Sequence, residues 1–418
     1  MHDPISHPPG ALRVNRRHFL GTALAAGWSA TAIGARAAAI KPTICIVGGG
    51  ILGAAIAMRC AQAGARVTLL EKTAPAAGAT SKSLAWINAF MDDPYYMRMR
   101  LEGLKRWHQI DRQLGMKVVW GGYASFTDRE ADKGRVARQA KTLAEAGYPT
   151  RMLNAQELKQ ISPAIDPGVL VEAVYSELGG HLDPVHATRR FLAAAKKAGA
   201  EVVYPCPVTA IEPGKSGVSV VTQRGRRTFD QVLVASGVDC PGLLTPLGYT
   251  PQLTHSPGAL VHSKPLPILS KLVYDGPGTL EWKQAANGSI VGLEVSTPPQ
   301  LAVHAQVLRE RMEFPPGIAE MHGARILGKY AKYMPGLAHA EFDHMTIGFR
   351  PMPTDGFPIV GAVPGVPGVS VCVTHSGVSL APLLADYLAA ELVEGREEPM
   401  LAPYRPSRSM PLAVPLVI

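Results

Sequence analysis

Three glycines and one acid carry the first chemistry legible in this sequence of 418 residues. Gly48, Gly50 and Gly53 stand in G-x-G-x-x-G spacing directly after the apolar run Ile44-Cys45-Ile46-Val47. Glu71 closes a second apolar run, Arg66-Val67-Thr68-Leu69-Leu70, with Lys72 behind it. A strand, a glycine turn, a helix and a second strand ending in an acid form the βαβ signature of a dinucleotide site. Gly48 allows the tight turn, Gly50 lets backbone approach a pyrophosphate, and Gly53 lets the helix pack closely on the strand. The helix start at Ile51 and Leu52 offers free N–H groups and a partial positive charge to phosphates. Glu71 is placed to accept both hydroxyls of an adenosine ribose, a charge-assisted contact of about 1.5–3 kcal/mol. The competing reading is a glycine-rich turn with no ligand.

The elements that position these residues read as α/β. Residues 43–71 form the first βαβ half. Tyr95–Leu114 and residues 129–147 read as helices, with strands at Val118–Trp120 and Tyr123–Phe126 between them. Asp183 and Pro184 mark an N-cap and first turn for a helix running to Ala198. Short strands follow at Glu201–Tyr204, Val208–Ile211, Val218–Thr222 and Gln231–Ala235. Residues 255–350 mix strands with one helix near 300–313. The chain then returns to strand and helix at Val369–Val373 and Ala381–Val393.

Upstream, Asn15-Arg16-Arg17-His18-Phe19-Leu20 precedes a mildly apolar stretch from Gly21 to Gly34 and small-x-small sites around Ala37. This resembles a twin-arginine export signal over residues 1–37, too short for a comfortable membrane span. The alternative is a disordered basic tail. A twin-arginine route moves folded proteins, so it would deliver a cofactor-loaded protein to the periplasm. The formal charge is +9, and the signal carries four arginines against one aspartate, which leaves +6 spread over the rest. Export argues against nucleic acid as a partner; an anionic substrate or a membrane surface suits the charge better. The five cysteines show no metal spacing, and Cys45 and Cys372 lie in strand-like runs, so buried thiols are expected. A Cys206–Cys240 bridge stays open. There is no H-E-x-x-H and no cysteine pair, so no metal is expected.

Four blocks in order carry a family resemblance. They are the glycine turn with Glu71; Gly78-Ala79-Thr80-Ser81-Lys82-Ser83; Val232-Leu233-Val234-Ala235-Ser236-Gly237; and Gly348 to Gly361 followed by Thr374-His375-Ser376-Gly377-Val378-Ser379-Leu380. Together they resemble the FAD-dependent oxidoreductases of the D-amino-acid oxidase, glycine oxidase and sarcosine oxidase superfamily. The resemblance implies a discontinuous Rossmann-type FAD-binding domain from residues 40–95, 152–254 and 345–400. It also implies an α+β substrate domain with an antiparallel sheet from 96–151 and 255–344, and a tail at 401–418. Cofactor contacts are implied for Thr80, Ser81, Val208, Ala235, Gly237, Gly377, Val378, Ser379 and Leu380, besides the first turn. A helix starting near Leu380 would face the flavin pyrimidine, where charge gathers on reduction; helix ends contribute about 0.3–2 kcal/mol.

Arg350 matches the arginine that anchors a substrate carboxylate in the amino-acid oxidases of that superfamily, and a guanidinium fork suits the task. The alternative is a structural pair with Asp355. Trp86 and Asn88 lie along the flavin face or in the core. Tyr274, Trp282, Tyr330 and Tyr333 are pocket candidates among which the sequence does not choose, and His255, His262 and His375 show no partner. The expected reaction is hydride transfer from an amine-bearing carbon to flavin N5, giving an imine that water hydrolyses, with quinone or O2 as final acceptor. No cysteine or histidine occupies the usual attachment segments, so FAD is expected to bind noncovalently. Glu294 aligns with a lysine of oxygen-reactive relatives, which tilts the expectation toward a dehydrogenase. An RNA-modifying flavoenzyme and a catalytically idle flavin-binding protein are the alternatives.

Overall fold

The first apolar run becomes strand β1 (Thr43–Val47) of a computed structural model that describes residues 41–168, 170–295 and 301–412. The segment read as an export signal lies outside the described residues. Ile44, Cys45 and Ile46 are fully buried, because this sheet is covered on both faces. Helix α1 (Ile51–Gln62) is apolar almost all round, since it sits between helix Pro184–Lys197 and helix α3 (Gly377–Glu394). Strand β2 (Arg66–Leu70) completes the βαβ unit, parallel to β1. The whole sheet runs Ile359–Ala362, Val369–Val373, Gln231–Val234, β1, β2, Glu201–Val203, parallel except for its first strand.

A second, eight-stranded mixed sheet contains β3 (Leu253–Ser263), β4 (Leu280–Gln284), β5 (Ile290–Glu294) and β6 (Phe342–Pro353). Its order is β6, β3, β5, β4, Val273–Gly276, Tyr123–Thr127, Glu172–Ser176, Arg151–Leu153, antiparallel except where Val273–Gly276 meets Tyr123–Thr127. From Lys41 onward the two sheets belong to one compact unit. Helix α2 (Pro94–Leu114) joins them; Asp93 caps it by accepting from Tyr96 N–H at 2.7 Å, and Gly115 ends it at φ +63°.

The strands depart from the sequence division in two places. Arg151–Leu153 and Glu172–Ser176 pair into the second sheet, not with the segments 152–254, because Glu172–Ser176 runs antiparallel along Tyr123–Thr127. Residues 345–353 likewise belong to β6, which pairs with β3 from Leu253↔Pro353 onward. The expected helix at 129–147 is regular only over Arg135–Glu145, after Gly134 at φ +79°. The one near 300–313 spans Ala302–Glu310, and a longer one, Pro316–Tyr333, was not anticipated. Gly317, Gly323 and Gly328 disguise it. Gly323 is required there, since a Cβ would stand 2.1 Å from the Phe342 ring.

Candidate active site

The carboxyl ends of β1, β2, Gln231–Val234 and Val369–Val373 open into a cavity of about 930 Å³, roofed by one face of the second sheet. That is where open α/β sheets bind ligands. Gly48, Gly50, Ile51, Leu52, Glu71, Lys72, Thr80, Val208, Ala235, Gly237, Gly377, Val378 and Ser379 all line it.

The glycines divide the work as their geometry dictates. Gly48 has φ +116°, and a Cβ on it would lie 2.5 Å from the Ala235 carbonyl oxygen. A Cβ on Gly53 would lie 2.0 Å from the Gly48 carbonyl oxygen, so Gly53 packs the helix on the turn rather than lining the cavity. Gly50 faces the open space near Thr80 Oγ1, which accepts from Ile51 N–H at 3.1 Å. Glu71 Oε2 accepts from Gly49 N–H at 2.7 Å and Oε1 from Thr73 N–H at 2.9 Å. The acid therefore also fastens the turn, and a carboxylate still has lone pairs for a ribose. Ser81 and Leu380 do not line the cavity. The Ser81 hydroxyl donates to the Gly78 carbonyl at 3.3 Å, and Leu380, in the first turn of α3, is fully buried.

The start of α3 is held from behind. Trp107 Nε1 donates to the Val378 carbonyl at 2.9 Å, and Ser379 Oγ to the Trp86 carbonyl at 3.1 Å. Arg100, invisible to motif reading, lies buried on α2 and lines the cavity. Its Nη1 donates to Ser376 Oγ at 3.0 Å, its Nε to the Asn88 carbonyl at 3.1 Å and its Nη2 to Asn88 Oδ1 at 2.8 Å. Burial pulls its pKa below the usual arginine value, yet these neutral oxygens keep the charge in place. Trp86 and Asn88 both line the cavity. Neither N-cap residue, Gly50 of α1 or Ser376 of α3, caps its helix with its own side chain, and at the start of α1 Thr80 engages Ile51 N–H. Two helix starts facing one long cavity, with glycines where a ligand must approach backbone, fit a pyrophosphate at one end and an electron-accepting ring at the other.

Arg350 projects from β6 across Gly258 of β3; a Cβ at 258 would stand 3.4 Å from Arg350 Nε. Its Nη2 donates to the Pro257 carbonyl at 3.4 Å. Asp355 instead pairs with Arg408, Nε to Oδ2 at 2.8 Å. His375 also lines the cavity, and burial, with Arg350 and Arg100 nearby, pushes its pKa down to about 4, leaving a neutral imidazole. Glu281 of β4 is a further lining residue that sequence reasoning missed.

Several expectations are corrected. Tyr274, Trp282 and Tyr330 form a stack in the core on the far side of the second sheet, with Tyr333 in the same cluster, and none lines the cavity. Glu294 points the same way, held by Arg325 and Lys329, while its neighbours Leu293 and Val295 face the cavity. Strand alternation thus removes it from any place beside a flavin. Cys206 and Cys240 are buried free thiols. His262 stacks on His344 outside the cavity, and the His255 side chain lies outside what is described. At the rim, Asp239 pairs with Lys72 at 2.7 Å and with Arg311 at 3.4 Å, and Lys82 pairs with Glu313.

A Rossmann-type parallel sheet with this glycine turn, roofed by a mixed sheet across a long cavity, defines a dinucleotide-dependent oxidoreductase architecture. Residues 43–391 match the FAD dependent oxidoreductase family, the chain belongs to that family, and FAD is its cofactor. It is 28% identical over 214 residues to monomeric sarcosine oxidase of Streptomyces avermitilis, covering 50% of this chain and 56% of that one. It is 25% identical over 378 residues to glycine oxidase of Geobacillus kaustophilus, covering 87% and 96%. In fold it resembles L-proline dehydrogenase of P. horikoshii, with a TM-score of 0.75 at 20% identity over 88% of this chain and 97% of that one.

Proposed function

We propose that this protein oxidises the C–N bond of an amino acid or N-alkyl amino acid whose carboxylate is clamped by Arg350. The observation that carries this reading is the guanidinium laid across Gly258 into the cavity that also holds both helix starts. Glycine, sarcosine and proline, named for the relatives, each join an amine to a carboxylate on one carbon. Bound FAD would supply a two-electron acceptor for the hydride of that carbon. Arg350 fixes the carboxylate, and with it the direction of the C–H bond. Arg100 and the N–H groups at the start of α3 would favour negative charge on a bound flavin. Water then hydrolyses the imine. The residues near Glu71, Thr80 and Gly237 would hold the adenine, ribose and pyrophosphate noncovalently.

The test is anaerobic: glycine, sarcosine, L-proline and panels of L-, D- and N-methyl amino acids are added to the yellow mature protein while flavin absorbance is followed. Bleaching by one class, weakened in Arg350→Ala, supports the reading; no bleaching by any of them sinks it. Admitting air afterwards separates O2 from a quinone as acceptor. The correction at Glu294 leaves export as the argument for a quinone. We further propose that residues 1–37 direct export of the folded protein to the periplasm. Among the described residues no helix is long and apolar enough to cross a membrane. Replacing Arg16 and Arg17 together by lysine should leave full-length protein in the cytoplasmic fraction; unchanged periplasmic yield would refute the signal.

A further inference from the structure

Glu281 brings an acid into a cavity that already holds an arginine. It stands on β4 directly across from Leu293 of β5, and Leu293 lines the same cavity. In the strand order β6, β3, β5, β4, Leu260 and Leu293 lie between Arg350 and Glu281, so the cavity roof has a cationic end, an apolar middle and an acidic end. The Glu281 carboxyl makes no hydrogen bond to any described residue; its backbone lies in the sheet ladder, and its carbonyl also accepts from Tyr330 Oη at 3.2 Å. A half-buried carboxyl without a partner, facing the cavity, is available to a ligand. A ligand bearing both a carboxylate and a protonated amine complements both ends.

The surrounding charges decide what the carboxyl can do. Burial, helped by Asp275 across on Val273–Gly276 and opposed by Arg350, raises its pKa to about 7. Lys283, two residues along the same face, is turned away and donates to the Leu182 carbonyl at 2.9 Å. From the other wall, Arg100 is bound to Asn88 and Ser376, and His375 is too weak a base to compete near neutral pH. A base works best when its pKa is near the working pH.

We propose that Glu281 is the catalytic base of this site, receiving the protonated amine of the substrate and removing its proton before the hydride departs. The inference rests on the amine-oxidation reading. The N–H bond breaks with its electron pair left on nitrogen, and an O–H bond forms on Glu281. That lone pair then closes the C=N bond as the C–H hydride leaves for FAD. The two electrons therefore leave only with the hydride.

The test is the pH dependence of anaerobic flavin bleaching by the FAD-loaded enzyme, using every amine of the panel that bleaches it. The carboxyl is protonated and idle at low pH, so the rate should climb through about pH 7 and should do so at the same pH whatever the basicity of the amine. In Glu281→Gln, checked for an unchanged flavin spectrum, that limb should vanish. The rate should then climb only through the ammonium range of each amine, and fall at neutral pH by roughly 100-fold or more. Glu281→Asp should restore the limb in part. A wild-type limb that follows the basicity of each amine overturns the base, as does a Gln variant that keeps the limb and only binds substrate more weakly. A wild-type protein that no amine bleaches overturns the amine-oxidation reading itself, and this inference with it.

Discussion

Arg350 reaches the cavity because position 258 has no side chain to block it, so the clamp is a property of two residues on adjacent strands. Its neighbour in the sequence, Asp355, would have been the obvious partner, but Arg408 takes that acid with both oxygens. A guanidinium–carboxylate contact contributes about 1.5–3 kcal/mol, so Arg350→Ala should weaken binding of the carboxylate substrate about tenfold to a hundredfold. FAD content should be unchanged. Titration of bleaching against substrate concentration checks this, and equal affinity in the variant would remove Arg350 from the site.

At the scale of elements, the glycine turn is a tightly constrained piece of backbone. Gly53→Ala would drive a methyl to 2.0 Å from the Gly48 carbonyl oxygen and lever α1 off its strand. The variant should lose FAD on dialysis and become colourless; a protein that stays yellow would show that the turn can yield. Helix Pro316–Tyr333 offers the opposite case. A Cβ at Gly328 meets nothing within 4 Å, so Gly328→Ala should raise stability by about 0.5–1 kcal/mol, measured by denaturant unfolding. Local signals such as G-x-G-x-x-G, Asp183-Pro184 and the last strand–helix pair were legible because each acts within one turn of chain. Glu281, Arg100 and the true facing of Tyr274, Trp282 and Glu294 were not, because strand register and helix docking choose the face. Nothing within a few residues of Glu281 announces that Arg350 will lie three strands away.

At the scale of the whole molecule, the rim pairs connect parts of the chain that are distant in sequence. Lys72 and Asp239 belong to the first sheet's loops, whereas Arg311 and Glu313 lie between helices Ala302–Glu310 and Pro316–Tyr333. These groups are largely solvent-exposed, so each pair contributes little to equilibrium stability. Their consequence is kinetic. If a cofactor leaves past these pairs, they act as a latch whose opening rate sets how long the cargo stays aboard. Raising salt from low ionic strength to about 1 M shrinks the screening length to about 3 Å and should hasten FAD release from the diluted protein. Flavin fluorescence recovery measures that rate, and salt-independent release would mean there is no latch. For a protein proposed to cross a membrane already folded, residence time rather than affinity decides whether it arrives loaded.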